Sequence, residues 1–375
     1  MKPIIGLTGP IGSGKSHVRS VLVSLGAEGI DADFVTHEVM APDGPAYAAV
    51  VAEFGRAVLG PEGVIDRSKL GARVFGDPAA LARLEAIVHP AVGQAIQARV
   101  EASTAPLVAI EAIKLLEAGL ARSLCNQVWV TLCTRRRQFA RLKASRGMSA
   151  DEVRRRLTNQ MPAAQMAAQA HRVLYTDGTT AETAQVVLAA WVELGLPLPA
   201  PVIRRATPVD CEGTAAVLNS IVREGGRTIT GQTFTPAQER AFFRSMPKRS
   251  FLSIVLLGKV VAGFQSVEPY ATFTHTMDHV ASLGTHILAA VRGLGLGHAL
   301  SAVTWAEARA AGFSKLVIAV REDNSQAQAF YTGLGFQSCG RLARQAFVDG
   351  KYVDELLYEL FLDGGLSPIV RLEGV

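Results

Sequence analysis

The sequence predicts an α/β protein of two units joined by a proline-rich linker, on three observations. Up to about Leu194 short apolar runs alternate with longer helical stretches, the pattern of a parallel sheet with crossover helices. The segment Gly195-Leu-Pro-Leu-Pro-Ala-Pro201 then sets three prolines within five residues, a density that resists both helix and strand. Beyond it, strand-rich stretches follow one another closely, as in a mixed α/β domain with much antiparallel sheet. The expected units are 1–195 and 202–364, with 196–201 as the linker.

Bulk composition agrees with two cores. The chain has 375 residues, too many for one ordinary domain, and 49% of them are apolar. The net charge is +5, and the basic residues are dispersed apart from Arg135-Arg136-Arg137 and Arg154-Arg155-Arg156. This suits phosphorylated small molecules better than nucleic acid, which asks for a continuous basic stripe. Aromatic residues, at 6%, are too few for a base-stacking platform. Cys125, Cys133, Cys211 and Cys339 have neither Cys-x-x-Cys spacing nor a histidine at metal-ligand spacing, and are expected as buried thiols in a reducing cytoplasm. The first strand begins within three residues of the N-terminus and no apolar run is long enough to span a bilayer, so neither a signal peptide nor a membrane anchor is expected.

The first element is the strand Ile4-Ile5-Gly6-Leu7-Thr8. It runs into Gly9-Pro-Ile-Gly12-Ser13-Gly14-Lys15-Ser16, followed by a helix with Val18, Val21, Leu22 and Leu25 on one face. Backbone N–H groups in such a glycine-rich loop converge on an anion, and the helix adds its positive end. Lys15 is placed for the β- and γ-phosphates of a nucleotide and Ser16 for a Mg²⁺ ion. The loop holds only the phosphate donor, so ATPase, GTPase and small-molecule kinase all remain open at this point. Next comes Gly29-Ile30-Asp31-Ala32-Asp33 at a strand end. Strand alternation would turn both carboxylates to one face, one to accept a hydroxyl proton and one to organise metal or substrate; solvated turn aspartates are the other reading. The strand Leu107–Glu111 ends on a carboxylate suited either to the metal or to a helix N-terminus. His89 is expected to cap a helix begun by Pro90, with substrate contact as the alternative.

Thr8 to Ser16, Ile30 to Asp33, Asp66-Arg-Ser-Lys-Leu70 with Val74-Phe75, Val88-His89-Pro90 and the Arg141–Gln160 region together resemble dephospho-coenzyme A kinases. The resemblance covers about residues 1 to 190. It implies a P-loop NTPase-type parallel sheet with a helical lid, ATP and Mg²⁺ as cofactors, and phosphorylation of the ribose 3′-hydroxyl of dephospho-coenzyme A. Carried over by position, Asp33 is the base for that hydroxyl, and Arg141 and Arg146 belong to the lid that closes on the phosphates. The stretch Ile113-Lys114-Leu115-Leu116-Glu117 carries a charge where the family has leucine. His171 and Thr176 replace the family's aspartate and asparagine, where adenine and acceptor contacts are expected, and His17 replaces a threonine.

In the second unit a strand at Val202 leads into a helix, and strands are expected near Leu252–Leu257, Val260–Val267 and His279–Leu288. The stretch Val291-Arg292-Gly-Leu-Gly295-Leu-Gly297-His298 opens a long apolar helix. A dinucleotide fingerprint needs glycine at the first, third and sixth positions, which neither register supplies. Arg292-x-x-Gly295-x-Gly297, the strand Lys315–Val320 and then Asn324 to Phe336 instead resemble N-acetyltransferases of the GNAT family over roughly residues 202 to 362. That resemblance implies a mixed α/β GNAT domain. It makes acetyl-coenzyme A the acyl donor, bound through Arg292, Gly295, Gly297 and Asn324, with Tyr331 as general acid and an amine as acceptor. Glu268 is a possible base, an exposed strand-end carboxylate being the plainer reading; Phe330 is expected in the core, and Gly231 to Arg244 as an acceptor loop.

A bifunctional enzyme leads over a kinase regulated by an acetyl-coenzyme A sensor and over an acetyltransferase with a nucleotide-binding half. Lys15 and Asp33, and Arg292 and Tyr331, are all present.

Overall fold

The computed structural model describes residues 2–74, 76–116, 122–158, 160–348 and 350–363; Phe75 and Glu117, quoted above, lie outside the described residues. Residues up to Gly178 together with Glu193–Leu198 form one compact unit, and Thr179–Val192 together with the chain from Pro199 onward form the other.

The first unit is built on a parallel sheet of β1 (Ile4–Thr8), β2 (Glu28–Asp31), β3 (Val108–Glu111), β4 (Gln127–Leu132) and β5 (Arg172–Tyr175), in the order β2-β3-β1-β4-β5. Ile5, Leu7, Val108, Ile110, Val128 and Val130 are buried, as strands covered on both faces require. From central β1 the chain passes to the edge strand β2, returns to β3 between them, and then crosses to β4 and β5 on the other side of β1, so a crevice opens at the strands' C-terminal ends. Register brings the site to that edge: Leu7 and Asp31 both lie opposite Glu111, and Thr8 lies opposite Val130.

Among the described residues, the α-helices of this unit are α1 (Lys15–Leu25), α2 (Ala32–Val39), α3 (Tyr47–Phe54), α4 (Arg67–Val74), α5 (Pro78–Ala102), α6 (Arg135–Arg146), α7 (Ala150–Thr158) and α8 (Ala163–Ala168). The expected helix start at Pro90 is not observed. Pro90 lies inside the 25-residue α5, which begins instead at Pro78 and is capped by Asp77 through the N–H groups of Ala79 and Ala80. Burial of Val88, Ile96 and Val100 along one side carries the helix past the hydrogen bond that proline cannot make. The lid, α6 and α7, has its own small core, in which Leu142 and Val153 cluster with Ile11 of the glycine-rich loop.

The second unit takes in nearly all of α9 (Thr180–Glu193), which the sequence reading assigned to the first. Thr180 donates a hydrogen bond to Glu212 at 2.5 Å and Arg223 pairs with Glu182 at 2.8 Å, which ties α9 to α10 (Cys211–Glu224). The sheet contains β6 (Val202–Arg205), β7 (Phe251–Leu257), β8 (Val260–Pro269), β9 (Val280–Ile287), β10 (Lys315–Arg321), β11 (Gln337–Val348) and β12 (Lys351–Phe361), in the order β11-β12-β10-β9-β8-β7-β6. All neighbours are antiparallel except β9 and β10. That parallel pair is matched only from Lys315–Val280 to Val317–Ser282, after which the two strands part.

The expected acceptor loop is largely helical: α11 spans Pro236–Ser245 and is closed by a reciprocal capping box between Thr235 and Gln238. The remaining helices are α12 (Leu296–Ala310) and α13 (Ser325–Gly333). Cys125 and Cys211 are buried as expected, Cys133 is half-buried, and Cys339 is exposed; none of the four is in a disulfide. No described helix is long and apolar enough to cross a membrane.

Candidate functional sites

The loop between β1 and α1 can be built only with glycine at its key points. A Cβ at Gly9 would lie 2.3 Å from the carbonyl oxygen of Thr131, and Gly14, the N-cap of α1, has φ +94°. Ser13 Oγ meets Thr131 Oγ1 at 2.6 Å, which anchors the loop to β4. Lys15 is buried and folds back on the loop, its Nζ donating to the carbonyls of Gly9 at 2.8 Å and Pro10 at 3.2 Å. Burial lowers its pKa, against the pull of Glu111 and Asp33.

The carboxylates do not sit as strand alternation predicted. β2 stops at Asp31, which caps α2 by accepting from the N–H groups of Asp33 and Phe34, both at 3.1 Å. Asp33 therefore lies in the first helical turn. A short polar side chain able to satisfy the first free amides ended the strand two residues before Asp33, so alternation does not reach it. Asp31 also binds Arg19 Nη2 at 3.0 Å, and Glu111 is buried, accepting from Ser16 Oγ at 2.8 Å and Arg19 Nε at 2.7 Å. Arg19 thus spans two carboxylates, a role not assigned from the sequence. Its only sequence signal is its place three residues after Ser16, on the same helical face.

Among the described residues, Asp33's carboxylate is the one of the three with no hydrogen bond or ion pair. Partial desolvation, then the like charges of Asp31 and Glu111, raise its pKa, while Lys15 and His37 pull it down.

Arg141 reaches the loop from α6. Its Nη1 donates to Thr176 Oγ1 at 3.1 Å and Gly12 O at 3.4 Å, and its Nη2 to Thr176 O at 2.6 Å. Thr176 is buried and donates to Ser13 O at 2.7 Å, so it knits loop, lid and sheet together. Arg146 is exposed at the end of α6, near enough to Lys15 to help lower its pKa. His171 lies at the other end of the sheet, where its Nδ1 accepts from Val128 N at 3.1 Å as β4 and β5 begin. Lys114 is exposed and comes within 3.9 Å of Glu85.

In the second unit Thr285–Ile287, the end of β9 beyond its pairing with β10, line a cavity of about 550 Å³. It is lined by Arg292, Gly295, Gly297, Asn324 and Tyr331, so every donor-binding residue expected from the sequence meets there, together with the unassigned Arg227 and Thr285. Gly295 caps α12 in the left-handed region and no side chain closes that helix end. A Cβ at Gly297 would stand 2.8 Å from the Phe330 ring. Phe330 lines the cavity rather than lying wholly in the core, edge-on to His298 and Tyr331.

Asn324 caps α13 through Ala327 N at 3.2 Å and accepts from Arg227 Nη1 at 3.3 Å. Tyr331 is buried, and burial pushes its phenol to about 12 against hydrogen bonds from Thr285. Thr285 is held in turn by Gln265, whose Nε2 donates to Thr285 Oγ1 and to Ser301 Oγ, each at 2.9 Å. Glu268 is half-buried rather than exposed, and desolvation raises its pKa.

Comparison with known proteins finds a different family in each half of the chain. The family model for dephospho-CoA kinase matches residues 3–182, and that for the acetyltransferase (GNAT) family matches residues 222–336. A dephospho-CoA kinase of Geobacter metallireducens is 44% identical over 193 residues, which is 51% of this chain and 96% of that one. That of Geobacter sulfurreducens is 40% identical over 193 residues, 51% of this chain and 98% of that one. An acetyltransferase structure from Salmonella typhimurium, solved with its cofactor acetyl-CoA, covers 46% of this chain and 99% of its own at 21% identity and a TM-score of 0.42. With relatives matched almost end to end by its first half, the chain belongs to the dephospho-CoA kinase family and carries a GNAT-family domain in its second half.

Proposed function

We propose that the first unit transfers the γ-phosphoryl group of ATP to the ribose 3′-hydroxyl of dephospho-coenzyme A, with Asp33 as the base. The supporting observation is the division of labour among three carboxylates at one sheet edge. Asp31 is engaged as a helix cap and Glu111 by Ser16 and Arg19, while Asp33 retains its lone pairs beside Lys15. Its raised pKa makes it a better proton acceptor than an ordinary aspartate.

The loop amides and Lys15 hold the phosphates, and Arg141 adds positive charge beside Gly12. Ser16 and Glu111 fit a hard divalent ion, since their oxygens lie 2.8 Å apart. Among the described residues no group of three or more histidines, cysteines and carboxylates forms a metal cage, and Mg²⁺ bound to nucleotide needs only one or two protein oxygens. Mg²⁺ bound there would neutralise charge on the transferring phosphoryl group. The test is to incubate the full chain with ATP, Mg²⁺ and dephospho-coenzyme A and separate the products chromatographically. Coenzyme A that forms, and that ceases to form when EDTA is added, bears the reading out; protein that binds ATP and makes none overturns it.

We propose further that the second unit transfers an acetyl group from acetyl-coenzyme A to an amine. The amine nitrogen bonds to the thioester carbon, the carbon–sulfur bond breaks, and Tyr331 gives its proton to the departing thiolate; Glu268 or solvent takes the proton lost by the amine. A phenol held near 12 is protonated at neutral pH, as an acid must be. Tyr331→Phe is expected to slow thiol release from acetyl-coenzyme A by about a hundredfold or more in a screen of amines, with acetyl-coenzyme A affinity little changed. An unaltered rate would place the acid elsewhere.

A further inference from the structure

Two arginines that line the second unit's cavity converge on one carboxylate. Arg292 Nη1 and Nη2 grip the two oxygens of Glu224 at 2.6 and 2.7 Å, and Arg227 Nε reaches Oε1 of the same group at 2.9 Å. Both arginines line the cavity, as does the uncapped start of α12 at Gly295.

The backbone accounts for the convergence. Glu224 is the last residue of α10, and Gly225 and Gly226 follow with φ +73° and +65°, a reversal that brings Arg227 back over Glu224. A carboxylate at a helix C-terminus faces the negative end of the helix dipole, so the two guanidinium groups are what hold Glu224 there. They also keep its pKa below the usual carboxylate range, Arg292 acting more strongly than Arg227. Two positive charges against one negative leave an excess that a phosphate, with more charge and more acceptor oxygens, satisfies better than a single carboxylate.

We propose that Arg227 and Arg292 form a clamp for a phosphate group of coenzyme A, and that Glu224 is an internal anion which this phosphate displaces. The inference rests on the reading of this cavity as a coenzyme A site and adds to it a binding residue, Arg227, and a competitor, Glu224.

The first unit also binds coenzyme A species, so the readout has to be local. Hydrogen–deuterium exchange of peptides spanning Leu288 to Leu300 is followed in the full chain as coenzyme A, and separately dephospho-coenzyme A, is titrated. Arg227→Gln is expected to raise the coenzyme A midpoint at these peptides at least tenfold, Arg227→Lys to do so less, and Glu224→Gln to lower it several-fold. Loss confined to coenzyme A would assign the clamp to the 3′-phosphate, and equal loss with both probes would assign it to the pyrophosphate. An unchanged midpoint in Arg227→Gln overturns the clamp. A midpoint that rises in Glu224→Gln, with thermal unfolding unaltered, overturns the displacement and makes Glu224 a brace for Arg292. Absence of any protection in the unsubstituted chain removes the coenzyme A reading of the cavity itself, an outcome separate from both.

Discussion

Asp33→Asn is expected to lower phosphoryl transfer to dephospho-coenzyme A by about a hundredfold to ten-thousandfold, the range for loss of a positioned base, with ATP affinity nearly unchanged. The side chain keeps its size, and no hydrogen bond of Asp33's carboxylate is lost, so the effect isolates the proton transfer. Rapid-quench turnover with equilibrium ATP binding on the same preparation checks it; equal loss of binding would contradict the role. The pH dependence has a definite sign. Only ionised Asp33 accepts a proton, and its pKa is raised, so the acid limb of kcat lies at higher pH than an unperturbed aspartate would place it. In Asp33→Asn that limb disappears.

The same shift has a stability consequence of opposite sense. A carboxyl whose folded pKa exceeds its unfolded value destabilises the fold while ionised; the penalty is full above the folded pKa and fades as pH falls through it toward the unfolded value. Asp33→Asn is therefore expected to melt slightly higher than the unsubstituted protein at neutral pH, with the gap closing on acidification. A variant that gained stability while losing turnover would mark the carboxylate as retained for chemistry.

Lys15→Met is expected to weaken ATP binding by about tenfold to a hundredfold, the worth of a charge-assisted hydrogen bond, and to reduce turnover further. The lysine is buried, and its ammonium now spends its donors on Gly9 and Pro10 carbonyls, which a nucleotide's phosphates would replace with charged acceptors. The variant thus loses binding as well as rate, whereas Asp33→Asn loses rate alone. Calorimetric titration of ATP into both variants separates the two; intact ATP affinity in Lys15→Met would remove the lysine from the phosphate site.

Local pattern made some parts legible. The apolar run before Gly9, the helix face of Val18, Val21, Leu22 and Leu25, and Gly295 opening a helix all follow from spacing and turn chemistry within a dozen residues, and the structure has each where expected. Local pattern also misled where two short-range rules competed. Pro90 reads as a helix start, but burial of residues on either side of it holds one helix through. Asp31 and Asp33 read as strand neighbours, but the capping preference of aspartate turned the first into a helix terminus and the second into a helical residue. Gly231 to Arg244 reads as a loop, although Thr235 and Gln238 are a capping-box pair visible in the sequence.

By itself, then, the sequence determined the two α/β units, the phosphate loop with Lys15 and Ser16, and the glycine turn of the acetyltransferase half, because each is a short segment whose backbone conformation its own residues dictate. Only the tertiary structure decided which carboxylate is unengaged, that Arg19 bridges Asp31 to Glu111, that Thr176 braces the loop, and that Arg227 and Arg292 share Glu224. Except for Arg227 with its near neighbour Glu224, these contacts join residues 12 to 163 positions apart, and strand register and helix packing bring them together. No periodicity within a segment encodes such a meeting, since it depends on how separate elements bury their apolar faces against one another.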